Sequence, residues 1–271
     1  MLRLLLLRGL SLQARIAAVA ASAVLVVPAM LAAVVSAPQD MPAAAPQRTL
    51  LVTGAHRGLG LEFARQYQAA GWKVIGTARE PQTASELKAL GVRVEALDVA
   101  SAESVAALAQ RLADVPIDLL INNAGVSGSG GKPLQEVDLA EYERVMAVNA
   151  IGPVRVTQAL LPNLRAGRGR QIVSITSILG SITGNTGGGF WGYRESKAAL
   201  DMFVRSLAAE LKAEGFVCIA MHPGWVKTDM GGPDAELTPE QSIAGMRKVI
   251  DGLKAADTGS FFQHDGATVP W

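Results

Sequence analysis

Thiols are almost missing from this chain of 271 residues, and its one cysteine, Cys218, excludes a disulfide within the chain. Cys218 lies in the apolar run Phe216-Val217-Cys218-Ile219-Ala220-Met221 and reads as a buried strand residue without chemistry of its own. Histidine is nearly as scarce: His56, His222 and His264 are far apart and lack ligand spacing, so no metal is expected. Charge of one sign is concentrated nowhere. The net charge is +1 and no Lys/Arg cluster stands out, which removes the electrostatic footprint of a nucleic-acid surface. A Gly-x-Ser-x-Gly elbow is also absent, and with it a serine hydrolase.

Uncharged runs long enough to cross a bilayer are confined to the start. Arg3, Arg8 and Arg15 precede an uncharged stretch from Ile16 to Ala37, and the basic flank would keep the N-terminus on the cytoplasmic side. The stretch reads as a signal peptide cut near Val35-Ser36-Ala37, against which Pro38 counts, or as an uncleaved anchor. A third reading starts the protein at Met41, followed by the short tail Pro42-Ala43-Ala44-Ala45-Pro46. Residues 1–47 are therefore set apart from the fold, and membrane contact is expected only through residues 16–37.

From Thr49 onwards short apolar runs alternate with amphipathic stretches. The runs are Leu50–Val52, Val74–Thr77, Val92–Ala96, Leu119–Ile121, Ile172–Ile175 and Val217–Met221, with a last strand near Phe261. Between them lie helical patterns at Leu61–Ala70, Ala102–Ala113, Leu139–Leu164, Ser196–Glu214 and Pro239–Leu253. This alternation, without hairpin signals, predicts an α/β fold: a single doubly wound parallel sheet with helices on both faces, spanning residues 48–271. Crossovers should be right-handed.

Strand one runs directly into Thr53-Gly54-Ala55-His56-Arg57-Gly58-Leu59-Gly60, and a helix opens at Leu61. Glycines between a first strand and a first helix let the backbone and the helix N-terminus approach a pyrophosphate. The second strand ends at Ala78-Arg79, where a reader of the NAD 2′-hydroxyl would carry an acid. Arg79 and Arg57 instead offer planar donors suited to a 2′-phosphate, so NADP(H) is favoured over NAD(H). Further on, Tyr193-Arg194-Glu195-Ser196-Lys197 places a phenol and an ammonium four residues apart, on one face of a helix. A phenol ionises near about pH 10, and a nearby cation would bring it towards working pH, making a proton donor and acceptor.

Thr53-Gly54-x-x-x-Gly58-x-Gly60, Asp98-Val99, Asn122-Asn123-Ala124-Gly125, Asn149, Ser177, Tyr193-x-x-x-Lys197 and Pro223-Gly224 stand in the order that marks the short-chain dehydrogenase/reductase family. The chain resembles that family over about residues 48–271. Within it, Thr176–Ile182, Gly184–Gly188, His264-Asp265-Gly266 and the ending Pro270-Trp271 are similar to the C-factor and sniffer-type carbonyl reductase branch.

The resemblance implies a Rossmann fold and a catalytic group of Asn149, Ser177, Tyr193 and Lys197. Cofactor contacts are implied at Gly54, Arg57, Gly58, Leu59, Gly60 and Arg79, then at Asp98, Val99, Asn123, Ala124 and Gly125. Tyr193 and Lys197 would also touch the cofactor, as would Pro223, Gly224, Val226 and Thr228. Several positions carry a second reading from the residues themselves. Asp98 could accept from an adenine amino group or serve the next helix with Ser101 and Glu103, and Asn122 and Asn123 could hold the sheet edge. Pro153 lacks the N–H that would bond to the Asn149 carbonyl, so the helix there should be interrupted.

These readings give an NADP(H)-dependent oxidoreductase acting on a small carbonyl or alcohol, with Tyr193 as general acid/base and Lys197 lowering its pKa. The Ser177–Tyr193 loop is glycine-rich and longer than usual for the family; Phe190, Trp191 and Trp225 would flank the pocket, and the stretch Gly231–Gln241 is short and polar. Because C-factor proteins have been linked to cell-to-cell signalling, a signalling protein using NAD(P) as a sensory or structural ligand is the alternative, against which the intact tetrad counts. A homodimer or homotetramer through the helices bearing Asn149 and Tyr193 is implied by resemblance. A nicotinamide cofactor makes the cytoplasm the expected location, with anchoring or export through residues 16–37 as the alternative.

Overall fold

The computed structural model describes residues 47–128 and 130–271, and the expectations for the apolar run Ile16–Ala37 and for Met41 lie outside the described residues. The described residues belong to one compact unit. Among the described residues no helix is long and apolar enough to cross a membrane.

Seven strands form one parallel sheet in the order β3-β2-β1-β4-β5-β6-β7. They are β1 Thr49–Val52, β2 Lys73–Ala78, β3 Arg93–Ala96, β4 Leu119–Asn122, β5 Gln171–Ile175, β6 Val217–His222 and β7 Phe261–Gln263. Helices α1 Gly58–Ala69, α2 Ser85–Ala89, α3 Ala102–Arg111, α4 Leu139–Met146, α5 Gly152–Ala166, α6 Tyr193–Leu211 and α7 Pro239–Asp251 make the crossovers. Each expected apolar run became a strand. Both faces of the sheet are covered, so the strands read as continuous hydrophobic runs: Leu50 and Val52 pack with Phe63, Tyr67, Ile243 and Met246, while Leu51 packs with Leu108, Val156, Leu160 and Cys218 on the other side.

Strand order reverses between β1 and β4, which register at Leu51↔Leu120, and this opens a crevice beyond their carboxyl ends. Several side chains fix the elements that line it. Ser101 accepts from the Ser104 N–H to start α3, and Asp138 accepts from Ala140 N–H to start α4. At α7 a capping box joins Thr238 and Gln241.

α1 opens at Gly58, one turn before the expected Leu61, and two further helices show local detail. The interruption expected within Leu139–Leu164 is there: α4 and α5 are joined by a π-helical turn, Ala147–Ile151. There the Gly152 N–H bonds back to the Ala147 carbonyl, five residues earlier, and Pro153 offers no N–H to Asn149. Gly152 is required by contact: a Cβ there would lie 2.9 Å from Val99 Cγ2. The second helix, α6, begins at Tyr193 rather than Ser196, because Gly192 at φ +78° breaks the chain direction and the Phe190 carbonyl accepts from the Tyr193 and Arg194 N–H groups. Its predicted last turn, Lys212–Glu214, is a tighter 3₁₀ turn.

Candidate active site

The glycine turn forms the floor of the crevice. Gly54 and Gly58 have φ of +65° and +55°, where an L side chain is strained. Gly60 is needed for a different reason: a Cβ there would meet the Gly54 carbonyl at 2.3 Å and the Asn123 amide nitrogen at 2.6 Å. The turn is therefore compressed onto its neighbours. Thr53 and Asn123 hold it: Thr53 Oγ1 accepts from the Asn123 and Ala124 N–H groups at 3.0 Å each, and Asn123 Nδ2 donates to the Thr53 carbonyl at 2.8 Å. Asn123 thus acts here as the tie between β1 and β4, while Asn122 Nδ2 donates to Thr157 Oγ1 at 3.2 Å.

Around this floor the cleft is walled by Leu59, Arg79, Asp98, Val99, Ala124 and Gly125, and closed by Tyr193, Lys197, Pro223 and Thr228. Asp98 serves the backbone as well, because its Oδ1 accepts from the Ala100 N–H at 2.9 Å. Arg79 faces the cleft and, among the described residues, forms no ion pair with Glu80. Arg57 is drawn across the mouth into an ion pair with Asp229, both side chains largely exposed, an arrangement that adds little stability.

Four expected positions do not line the cleft. Gly224 and Val226 lie behind it: a Cβ on Gly224 would meet Leu237 Cδ1 at 2.5 Å, and Val226 is buried and bridged to Leu237. Asn149 and Ser177 are not among the lining residues either; Asn149 is tied to the lining residue Val126 by two hydrogen bonds, and Ser177 stands close to Tyr193. None of the three aromatics expected to flank the pocket lines the cleft. Trp191 donates from Nε1 to the Lys132 carbonyl at 3.1 Å, Trp225 donates to the Gly231 carbonyl at 2.8 Å, and Phe190 is exposed. In their place His56, Arg144, Val148, Thr176 and Met230 line the cleft. His56 carried a signal from its position inside the glycine turn and Thr176 from its place beside Ser177 at the end of the β5 run, whereas Arg144, Val148 and Met230 carried none.

The reactive corner is built by α6 against the ends of β5 and the π turn. The Ser177 hydroxyl stands close enough to Tyr193 to favour its phenolate, and its Oγ accepts from the Leu179 N–H at 3.2 Å. One turn along, Lys197 is 4% exposed, and its Nζ donates to the Ile175 carbonyl at 2.9 Å and lies 5.7 Å from the centre of the Tyr193 ring. Asn149 is fully buried in the π turn; its side chain accepts from the Val126 N–H at 2.9 Å and donates to the Val126 carbonyl at 2.8 Å and to Ser196 Oγ at 3.1 Å. The asparagine therefore locks the loop after β4 to the Tyr-x-x-x-Lys turn. Asn149→Ala would strip the Val126 peptide groups of both partners. It is expected to cost at least about 1–3 kcal/mol in urea denaturation, and an unchanged midpoint would count against this role.

Electrostatics at this corner differ from the sequence expectation. Lys197 was expected to pull the Tyr193 phenol down, but burial pushes the phenol up, with the Ser177 hydroxyl opposing it. The ammonium is spent on the Ile175 carbonyl, and burial lowers Lys197 itself to about 8, against the pull of Asp201. Desolvation exceeds charge attraction in this dry corner. Among the described residues no group of three or more His, Cys, Asp or Glu could hold a metal.

The glycine turn, left without room for side chains at Gly54 and Gly60 and opening on α1, fits a dinucleotide pyrophosphate. A tyrosine and a lysine on one face of α6 stand beside it. A family model for short chain dehydrogenases matches residues 48–237, and the chain belongs to that family of oxidoreductases. Its relatives place it in the C-factor and sniffer-type carbonyl reductase branch. It is 52% identical over 165 residues to C-signal of Myxococcus xanthus, an alignment covering 61% of this chain and 99% of that one. Carbonyl reductase Sniffer of D. melanogaster superposes with a TM-score of 0.78 at 31% identity, covering 83% of this chain and 100% of its own. An NADPH-bound carbonyl reductase from chicken fatty liver gives 0.77 at 34% identity, covering 83% and 99%.

Proposed function

We propose that the chain is an NADP(H)-dependent oxidoreductase that interconverts a small carbonyl compound and its alcohol, with Tyr193 as general acid/base. The observation that carries this is Tyr193 beside Lys197 on one face of α6, with Ser177 at hand, at the wall of a cleft whose floor is the glycine turn. Gly54, Gly58 and Gly60 would hold the pyrophosphate, and Asp98 and Val99 would flank the adenine. Arg79, assisted by Arg57 once it leaves Asp229, would bind a 2′-phosphate. The NADPH-bound chicken relative supports this preference.

When bound, the nicotinamide supplies or accepts a hydride. Everything else falls to the chain. Ser177 Oγ donates to the substrate oxygen as negative charge develops on it, and Tyr193 Oη gives that oxygen its proton in reduction or takes it in oxidation. Lys197 stabilises the phenolate left behind, and Asn149, anchored to Val126, offers a backbone carbonyl freed by Pro153 to a proton path towards Lys197. Thr228 and Pro223 would orient the nicotinamide end.

The test is NADPH oxidation followed against a panel of aldehydes, ketones and quinones, with NADPH affinity measured by fluorescence titration. Saturable oxidation with at least one of these compounds is expected. A pure, folded protein that binds neither NADPH nor NADH would overturn the reading.

A further inference from the structure

Asp201 sits one helical turn beyond Lys197 on α6 and is 4% exposed. Neither of its carboxyl oxygens has a partner of good hydrogen-bond geometry. The site is tightly enclosed: a Cβ added at Gly180 would lie 2.8 Å from Asp201 Oδ2 and 2.8 Å from Lys197 Cβ. Facing it from the end of β5, the Thr176 hydroxyl is close enough to favour the ionised carboxyl, although Thr176 Oγ1 also lacks a well-aligned partner. A carboxylate with unmade hydrogen bonds opposes folding. Nothing in the proton transfer described above uses it.

α6 packs against the 3₁₀ turn Ile178–Gly180, β6, the π turn, α4 and the turn Lys212–Glu214. Neither Ile178–Gly180 nor the π turn carries an ionisable side chain. β6 brings Cys218 and His222, α4 brings Glu141, Tyr142, Glu143 and Arg144, and the last turn brings Lys212 and Glu214. Among the described residues Thr176 and Lys197 act on Asp201, and Asp201 is the one charged side chain acting on Lys197, whose Nζ is itself hydrogen-bonded to the Ile175 carbonyl. The two lie one helical turn apart in a dry pocket, and among the described residues no contact ion pair joins them. Burial brings Asp201 up to about 7, and burial brings Lys197 down to about 8.

We propose that Asp201 is a positioning residue for Lys197: its buried carboxylate balances the ammonium, so that Lys197 remains charged beside Tyr193 where desolvation alone would strip its proton. This rests on Lys197 serving Tyr193 as proposed above, yet the pair itself can be examined without turnover. The charge on Lys197 is what stabilises the phenolate, so the device acts on the rate of proton transfer.

The experiment is a kcat and KM profile against pH for the full chain and for Asp201→Asn, which keeps the shape and removes the charge. Loss of the one counter-charge buried with Lys197 lowers the ammonium's pKa, so the alkaline limb of kcat should move down by about one pH unit and kcat above it should fall about tenfold. A profile superimposable on that of the unaltered chain overturns the proposal. If Asp201→Asn does not accumulate, Asp201→Ser carries the same expectation.

A second readout does not depend on activity. Asp201 titrates higher in the folded chain than an exposed carboxyl near about 3.9, so its contribution to stability is full below that value and is lost as pH rises towards about 7. The melting temperature of Asp201→Asn relative to the unaltered chain should therefore climb between about pH 4 and about pH 7 and then level off. In Lys197→Met, Asp201 loses its cation and the decline should continue above about pH 7. A melting difference that stays constant with pH overturns the pair even when no substrate is turned over. Absence of turnover with a pH-dependent difference overturns only the proposed reaction and supports the pair.

Discussion

Tyr193→Phe is expected to lower kcat about 10²–10⁴-fold, the range that one positioned proton donor contributes, while leaving KM for NADPH essentially unchanged. The ring keeps its packing. Only the hydroxyl is removed, so the fold should hold. Because burial holds the phenol above its ordinary range, Tyr193 stays protonated through neutral pH. Reduction, which consumes that proton, should run without loss on the acid side, whereas oxidation of the alcohol, which needs the phenolate, should speed up as pH rises. Initial rates in both directions across pH separate these cases. A phenylalanine variant that keeps more than about a tenth of the activity would remove Tyr193 from the proton transfer.

Arg79→Asp should have the next largest effect, and on the cofactor rather than on the chemistry. A charge-assisted hydrogen bond contributes about 1.5–3 kcal/mol, so exchanging the guanidinium for a carboxylate should weaken NADPH binding about 10²-fold or more, with repulsion of the 2′-phosphate adding to the loss. Binding of NADH should hold or improve, since a carboxylate at the end of β2 can accept from the ribose hydroxyl. Dissociation constants for both nucleotides, measured on the same variant, decide it. Equal weakening of the two would show that Arg79 shapes the cleft without reading the phosphate. Arg57 should contribute less than Arg79, because Asp229 competes for it at the cleft mouth.

Much of the sheet was legible because strands buried on both faces leave continuous apolar runs such as Leu50–Val52 and Val217–Met221, and helices between them leave an amphipathic period. The glycine turn was legible for the same kind of reason: spacing, together with its place between β1 and α1, is a property of the chain. Helix ends were less so. Tyr193 begins α6 because Gly192 adopts a left-handed conformation against Tyr142, a contact between segments far apart in sequence. The π turn at Asn149 was half visible, since Pro153 announced an interruption but not its form.

By itself, then, the sequence determined the sheet, the glycine turn and the pairing of Tyr193 with Lys197 on one helical face, because strand burial, backbone freedom and helical spacing are local or periodic properties. Tertiary structure alone decided which side chains meet the cleft, turning Trp191 to Lys132 and Trp225 to Gly231 and admitting His56, Thr176 and Met230. It alone also set the balance of charge, raising Tyr193 where spacing suggested lowering and enclosing Asp201 beneath Lys197. Desolvation depends on everything that surrounds a group, and no spacing along the chain records that.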